Sequence, residues 1–186
     1  MDVLLPVFIA VLLAETGGRV QARAHSLQLR FDAGGAIIGA LTFTTFASLL
    51  FAGIGGAIVA GIINFQARTL MAGLALLFAG GPMLLRGKAM RDVNGNSAFL
   101  TSLKGFAPLQ FGDASQFIVF AMAARTGLAG LGVGAGIAAT LAAAAIPVMM
   151  GRDWPGSLPL AALRRAAAIL LAGAGCWMIV SALRLI

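Results

Sequence analysis

Glu15-Thr16-Gly17-Gly18-Arg19-Val20-Gln21 and Gln110-Phe111-Gly112-Asp113-Ala114-Ser115-Gln116 lie 95 residues apart in a chain of 186. Aligned without gaps, they share the glycine at 17/112 and the glutamine at 21/116, and each keeps one carboxylate, Glu15 or Asp113. Both stretches interrupt apolar sequence. The run before Glu15 stops at Ala14; in the second copy Pro108 precedes the motif and Gly112 lies within it. Glycine and proline weaken or break helices. A carboxylate in hydrocarbon is costly and marks a pathway or binding site. Interrupted helices at matching places in two halves point to a duplicated transporter with its site at the breaks.

Composition agrees with a membrane setting. The chain is 60% hydrophobic and 10% charged, with a mean hydropathy of +0.99, whereas a soluble domain carries about 25% charged residues. One cysteine, Cys176, excludes an internal disulfide and a multi-thiolate metal site, and the lone His25 argues against imidazole-cluster zinc chemistry. The net charge of +7 sits in short links between apolar runs, so it reads as topology-setting charge and not as a nucleic-acid surface. Val3 to Ala14 followed by Ala22-Arg23-Ala24 looks like a signal peptide. It lacks a positive start, though, and Glu15 and Arg19 intervene, so it is read as the first span.

A span needs about 20 mostly apolar residues. Candidates run over 3–23, 35–62, 69–86, 98–123, 127–150 and 160–184, separated by His25 to Asp32, Gly87 to Ser97 and Gly151 to Pro159. The expected fold is all-α and polytopic: six transmembrane helices as two inverted three-helix repeats, 1–92 and 93–186, in one membrane domain. The 95-residue offset also aligns Arg30 with Arg125, Ala79-Gly80 with Ala174-Gly175, and Met83 with Met178. An odd number of spans per half inverts the second half. Arg23, Arg30, Arg86, Lys88, Arg91, Arg152, Arg164 and Arg165 fall on one side, and Arg68, Arg125 and Arg184 on the other. The richer side is expected to be cytoplasmic, with both termini outside. Small residues four apart, at Gly35/Gly39, Gly53/Ala57/Gly61 and Gly132/Gly136, suit close helix packing. Thr42, Thr44, Thr45 and Ser48 either bond back to their own backbone or line a pore.

Glu15, Asp113, Gln110, Ser115, Gln116 and Gln21, with Thr16, give an all-oxygen donor set, which hard cations such as calcium, manganese or magnesium prefer. Low dielectric favours the protonated form of a carboxylic acid, so proton and metal compete for such a site. Arg19 is the charge-pairing residue. A purely structural reading pairs it with Glu15, four residues away, or with Asp113. Lys104 reads as a snorkelling residue near the cytoplasmic end of span four. Asp153 reads as a loop residue beside the interfacial Trp154-Pro155-Gly156.

At these motifs the chain resembles the Gdt-type cation/proton exchangers, which include Golgi calcium/manganese:proton antiporters and bacterial manganese exporters and carry a duplicated Glu-x-Gly-Asp-Lys/Arg-Thr/Ser motif. The first copy keeps Glu15, Gly17 and the basic Arg19, with Gly18 in place of Asp and Val20 in place of Thr/Ser. The second keeps Gly112, Asp113, Ser115 and Gln116, with Gln110 in place of Glu and Ala114 in place of the basic residue. The chain is thus similar to a divergent member with degenerate motifs. The resemblance implies six spans in inverted halves and export of manganese or calcium against protons across a bacterial-type inner (plasma) membrane. It needs no cofactor beyond the transported cation; the partners are the bilayer, the cation and protons. The lost acids leave two alternatives: a transporter of another small solute or monovalent ion, or a non-transporting subunit in a homo- or heterodimer. No Cys/His, Ser/His or acid-rich cluster stands outside the motifs, so no enzyme is expected.

Overall fold

The structure, a computed structural model, describes residues 3–84, 93–154 and 159–183. Among them the chain forms helices and turns only: α1 Leu4–Glu15, α2 Arg19–Phe31, α3 Gly34–Ala60, α4 Phe65–Leu84, α5 Ala98–Gln110, α6 Ala114–Thr126, α7 Ala129–Met150 and α8 Leu160–Ala182, with a 3₁₀ turn Gly151–Asp153 after α7. Four described helices, α3, α4, α7 and α8, are long and apolar enough to cross a membrane, and the pair α1–α2, bent by 62°, makes five if it is one span.

Six spans are therefore not reached by length and apolarity. The expected fourth, 98–123, is divided into α5 and α6, each of 13 residues. The expected first span, 3–23, also differs. It stops at Glu15, and α2 continues through His25 to Phe31, which the sequence reading assigns partly to a polar link. The cause is amphipathicity: Val20, Ala24 and Leu27 fall on one buried face, so a helix forms after the apolar run has ended. Arg86, Lys88, Arg91 and Arg184, which carry part of the charge asymmetry, and Pro155-Gly156 lie outside the described residues.

The 95-residue offset reappears in the helix boundaries. α1 and α5 end at Glu15 and Gln110, and α2 and α6 run from Arg19 and Ala114 to Phe31 and Thr126. α3 and α7 begin at Gly34 and Ala129, and α4 and α8 at Phe65 and Leu160. Even a cap repeats. Asp32 and Gly127 end α2 and α6 in the left-handed region, at φ 46° and 72°, and their N–H groups bond the carbonyls of Gln28 and Ala123.

Small residues set the packing, as they do where lipid removes the hydrophobic drive between helices. A Cβ on Gly73 would lie 2.8 Å from the Gly175 carbonyl, and one on Gly80 2.8 Å from that of Ala168. The partners step in opposite directions, so α4 and α8 are antiparallel. α3 and α7 are antiparallel as well: Val133 packs on Gly53 and Leu49 on Gly136. The expected stripes are thus half realised. Gly53 and Gly136 sit at close approaches, but nothing lies within 4 Å of a Cβ on Gly35 or Gly132, and the Gly73/Gly80/Gly175 seam is additional. Phe43, Phe51, Ile58 and Phe78 face outward, as lipid-facing side chains do.

Leucine at Gly73 is expected to lower the stability of the detergent-solubilised protein by about 1–3 kcal/mol, the scale of overpacking. Gly134→Leu, at a position where a Cβ meets nothing within 4 Å, should leave the melting temperature unchanged. Equal losses at both positions would refute the seam.

Candidate cation-binding site

The two breaks have one local construction. Gly17 and Gly112 adopt φ 63° and 80°, a region from which a Cβ largely excludes other residues. The next residues, Gly18 and Asp113, are extended and cap α2 and α6. In each break the glycine N–H donates to Oε1 of the glutamine four residues on, Gly17 to Gln21 at 2.8 Å and Gly112 to Gln116 at 2.6 Å. The same amides then reach a long helix. Gln21 Nε2 donates to the Ala143 carbonyl of α7 at 2.9 Å, and Gln116 Nε2 to the Ser48 carbonyl of α3 at 3.4 Å. Ala143 and Ser48 are themselves 95 residues apart. Ser48 Oγ also donates to the Gln110 carbonyl at the end of α5, at 2.8 Å.

These anchored breaks bring the two acids together. Glu15, the last residue of α1, is 2% exposed. Its carboxyl lies within hydrogen-bonding reach of Asp113, and Ser115 Oγ donates to Glu15 Oε1 at 2.5 Å. Two carboxylates this close repel unless a proton or a cation stands between them. Arg19, exposed at the start of α2, is the positive charge acting on Asp113. It forms no ion pair with Glu15 among the described residues, because the break between them removes the continuous helix that a four-residue pairing requires.

The remaining candidates divide. Gln21 and Gln116 brace backbone, and their amides are engaged there. Thr16 bonds back to the Leu12 carbonyl at 2.8 Å. Gln110 is 1% exposed, and neither its Oε1 nor its Nε2 has a partner. No three His, Cys, Asp or Glu side chains gather as metal ligands among the described residues, so a cation here would take two carboxylates and otherwise neutral oxygens. Thr42 and Thr44 bond back to their own helix. Thr45 does not, and neither does Thr140, a residue the sequence reading passes over although the 95-residue offset from Thr45 marks it. Lys104 is exposed on α5. Trp154 is turned inward: it is buried and packs on His25 with ring centroids 4.8 Å apart, and His25 Nε2 lies 2.9 Å from the Gly151 carbonyl.

Long apolar helices mark a multi-pass membrane protein, and its two helix breaks bring Glu15 and Asp113 together. The model of the divalent cation/proton antiporter GDT1 family matches residues 98–185, from the start of α5 to beyond the end of α8. That match supports the Gdt-type family assignment and bears out the resemblance read from the motifs. No curated protein matches the chain. No solved structure matches it either.

Removing either brace should loosen its break. Gln21→Leu leaves the Gly17 N–H without its partner and is expected to cost about 1–3 kcal/mol, as for a buried donor left unsatisfied. Gln116→Leu, whose bond to α3 is longer and half-buried, should cost less. Thermal unfolding of both variants in detergent measures the difference, and the reverse order would contradict the brace.

Proposed function

We propose that the protein is a secondary transporter exporting a divalent cation, manganese or calcium, in exchange for protons. Glu15 and Asp113 bind cation and proton alternately. The observation that carries this reading is the meeting of one acid from each motif, the buried Glu15 and the half-buried Asp113, each delivered by a broken helix. Ser115 and Gln110 complete the oxygen set, Gln21 and Gln116 orient it, and Arg19 compensates Asp113 when no cation is present.

The coupling follows from electrostatics. Two neighbouring carboxylates favour a divalent cation, and when it leaves, a proton relieves the same repulsion. Cation and proton therefore exclude one another. Hard divalent cations fit the donors, which are oxygens without nitrogen or sulfur ligands.

We further read residues 1–92 and 93–186 as inverted repeats, supported by the shared helix boundaries and the antiparallel packing of α3 on α7 and α4 on α8. With α1–α2 and α5–α6 each taken as one broken span, the layout is six spans, and the asymmetry of Lys and Arg between the two sides is what argues for both termini outside. One observation favours a different cargo: two acids against one guanidinium make a weakly anionic site, which suits a monovalent cation or a small zwitterion.

Purified protein in liposomes, loaded with a pH-sensitive dye and exposed in turn to manganese, calcium, magnesium and sodium, tests both readings. Proton flux driven by manganese or calcium is expected, and Glu15→Gln or Asp113→Asn should abolish it. Full flux in both variants would remove the acids from the mechanism. Flux with sodium alone would transfer the site to a monovalent ion.

A further inference from the structure

We propose that Thr45 and Thr140 form a second pair of cation ligands, neutral ones, facing each other from α3 and α7, with the Gln110 amide joining them. The proposal rests on the cation/proton reading above and adds a group of residues to it.

Three observations carry it. Thr45 and Thr140 are each 0% exposed, and neither hydroxyl has a hydrogen-bond partner. A hydroxyl on an apolar helix ordinarily bonds a carbonyl one turn back, as those of Thr42, Thr44 and Thr126 do here. A buried hydroxyl without a partner is costly, and native structures rarely keep one without a use.

The helix register is the second observation. On the antiparallel pair α3·α7, Leu49 packs on Gly136 and Val133 on Gly53. One turn further along each helix, Thr45 stands level with Thr140, near the middle of both. The two are 95 residues apart, so each copy of the repeated pattern supplies one hydroxyl.

The third is their neighbourhood. One turn beyond Thr45, Ser48 receives Gln116 and bonds Gln110; one turn beyond Thr140, Ala143 receives Gln21. Each threonine therefore lies beside the anchor point of a broken helix. Gln110, with both amide atoms unpartnered, belongs to the same region.

The chemistry suits a transported ion. Divalent cations take about six or more oxygens, more than two carboxylates and one serine offer. Hydroxyl and amide oxygens replace water without adding negative charge, so they lower the barrier to entry without preventing release. The Nε2 group of Gln110 can only donate, and a water carried on the ion gives it an acceptor. The expected ligand is a partly hydrated divalent cation that passes between the carboxylate pair and the threonine pair.

The test uses Mn²⁺ as the probe, with the intact 186-residue chain in liposomes for flux and in detergent for binding. Valine keeps the shape of threonine and removes its oxygen, while serine keeps the oxygen. Thr45→Val and Thr140→Val are each expected to raise the KM for Mn²⁺ about tenfold, with serine variants close to the parent. The valine variants should also melt at a higher temperature without metal, because an unpartnered buried hydroxyl is gone; a structural hydroxyl would give the opposite shift. Unchanged KM in the double valine variant of a protein that does couple Mn²⁺ to protons overturns the threonine pair and leaves the carboxylate reading intact. If the unaltered protein moves no protons with any cation, the carboxylate reading fails, and this proposal with it. Should the valine variants not be recovered, Thr45→Cys in a Cys176→Ser background provides a second measure. Mn²⁺ is expected to slow its alkylation, and an unchanged rate counts against the proposal.

Discussion

Hydrocarbon offers no partner to a backbone amide, so a helix that stops inside a membrane must be supplied with partners by the protein. Both breaks meet this constraint in the same way. A left-handed glycine turns the chain, a glutamine one helical turn later takes the glycine N–H, and the other end of that amide fastens to a long helix. The fastening is crossed: the first break is held by α7 and the second by α3. Without it, neither Glu15 nor Asp113 would have a fixed position, and the acids would not meet.

The pair that results is asymmetric although the backbone around it is repeated. Glu15 ends a helix, whereas Asp113 begins one. The equivalent places in the other copy hold Gln110 and Gly18. Each half holds an acid where the other holds none, and the two carboxyls meet. Ser115 from the second half also serves Glu15 from the first, donating to its carboxylate.

Much of this was legible in the sequence because it is written in residues with few other uses. A glycine followed four residues later by a glutamine, twice at one spacing inside apolar runs, located both breaks. Acids within apolar sequence are rare enough to draw attention to the same two places. What stayed hidden depends on side-chain direction. The spacing of Glu15 and Arg19 suggested a pair, but the helix breaks between them, and it is Asp113 on which the Arg19 charge acts. Gln21 and Gln116 could be counted as donors, yet only geometry shows them committed to Gly17, Gly112 and the long helices. Thr44 and Thr45 are neighbours of one type; one bonds its own helix and the other does not, a difference that residue type alone cannot show. The length of α2 was missed because its apolar face is narrow and its composition polar. The Gly73/Gly175 seam was missed because residues that meet across two helices have no fixed spacing along the chain.

The crossed fastening has a consequence for inheritance. A substitution near Ala143 is felt at Gly17, far upstream, and one near Ser48 at Gly112. Changes in either part of the gene are therefore screened through the other, and the two parts must drift together. In a chain built this way each part keeps the other in shape.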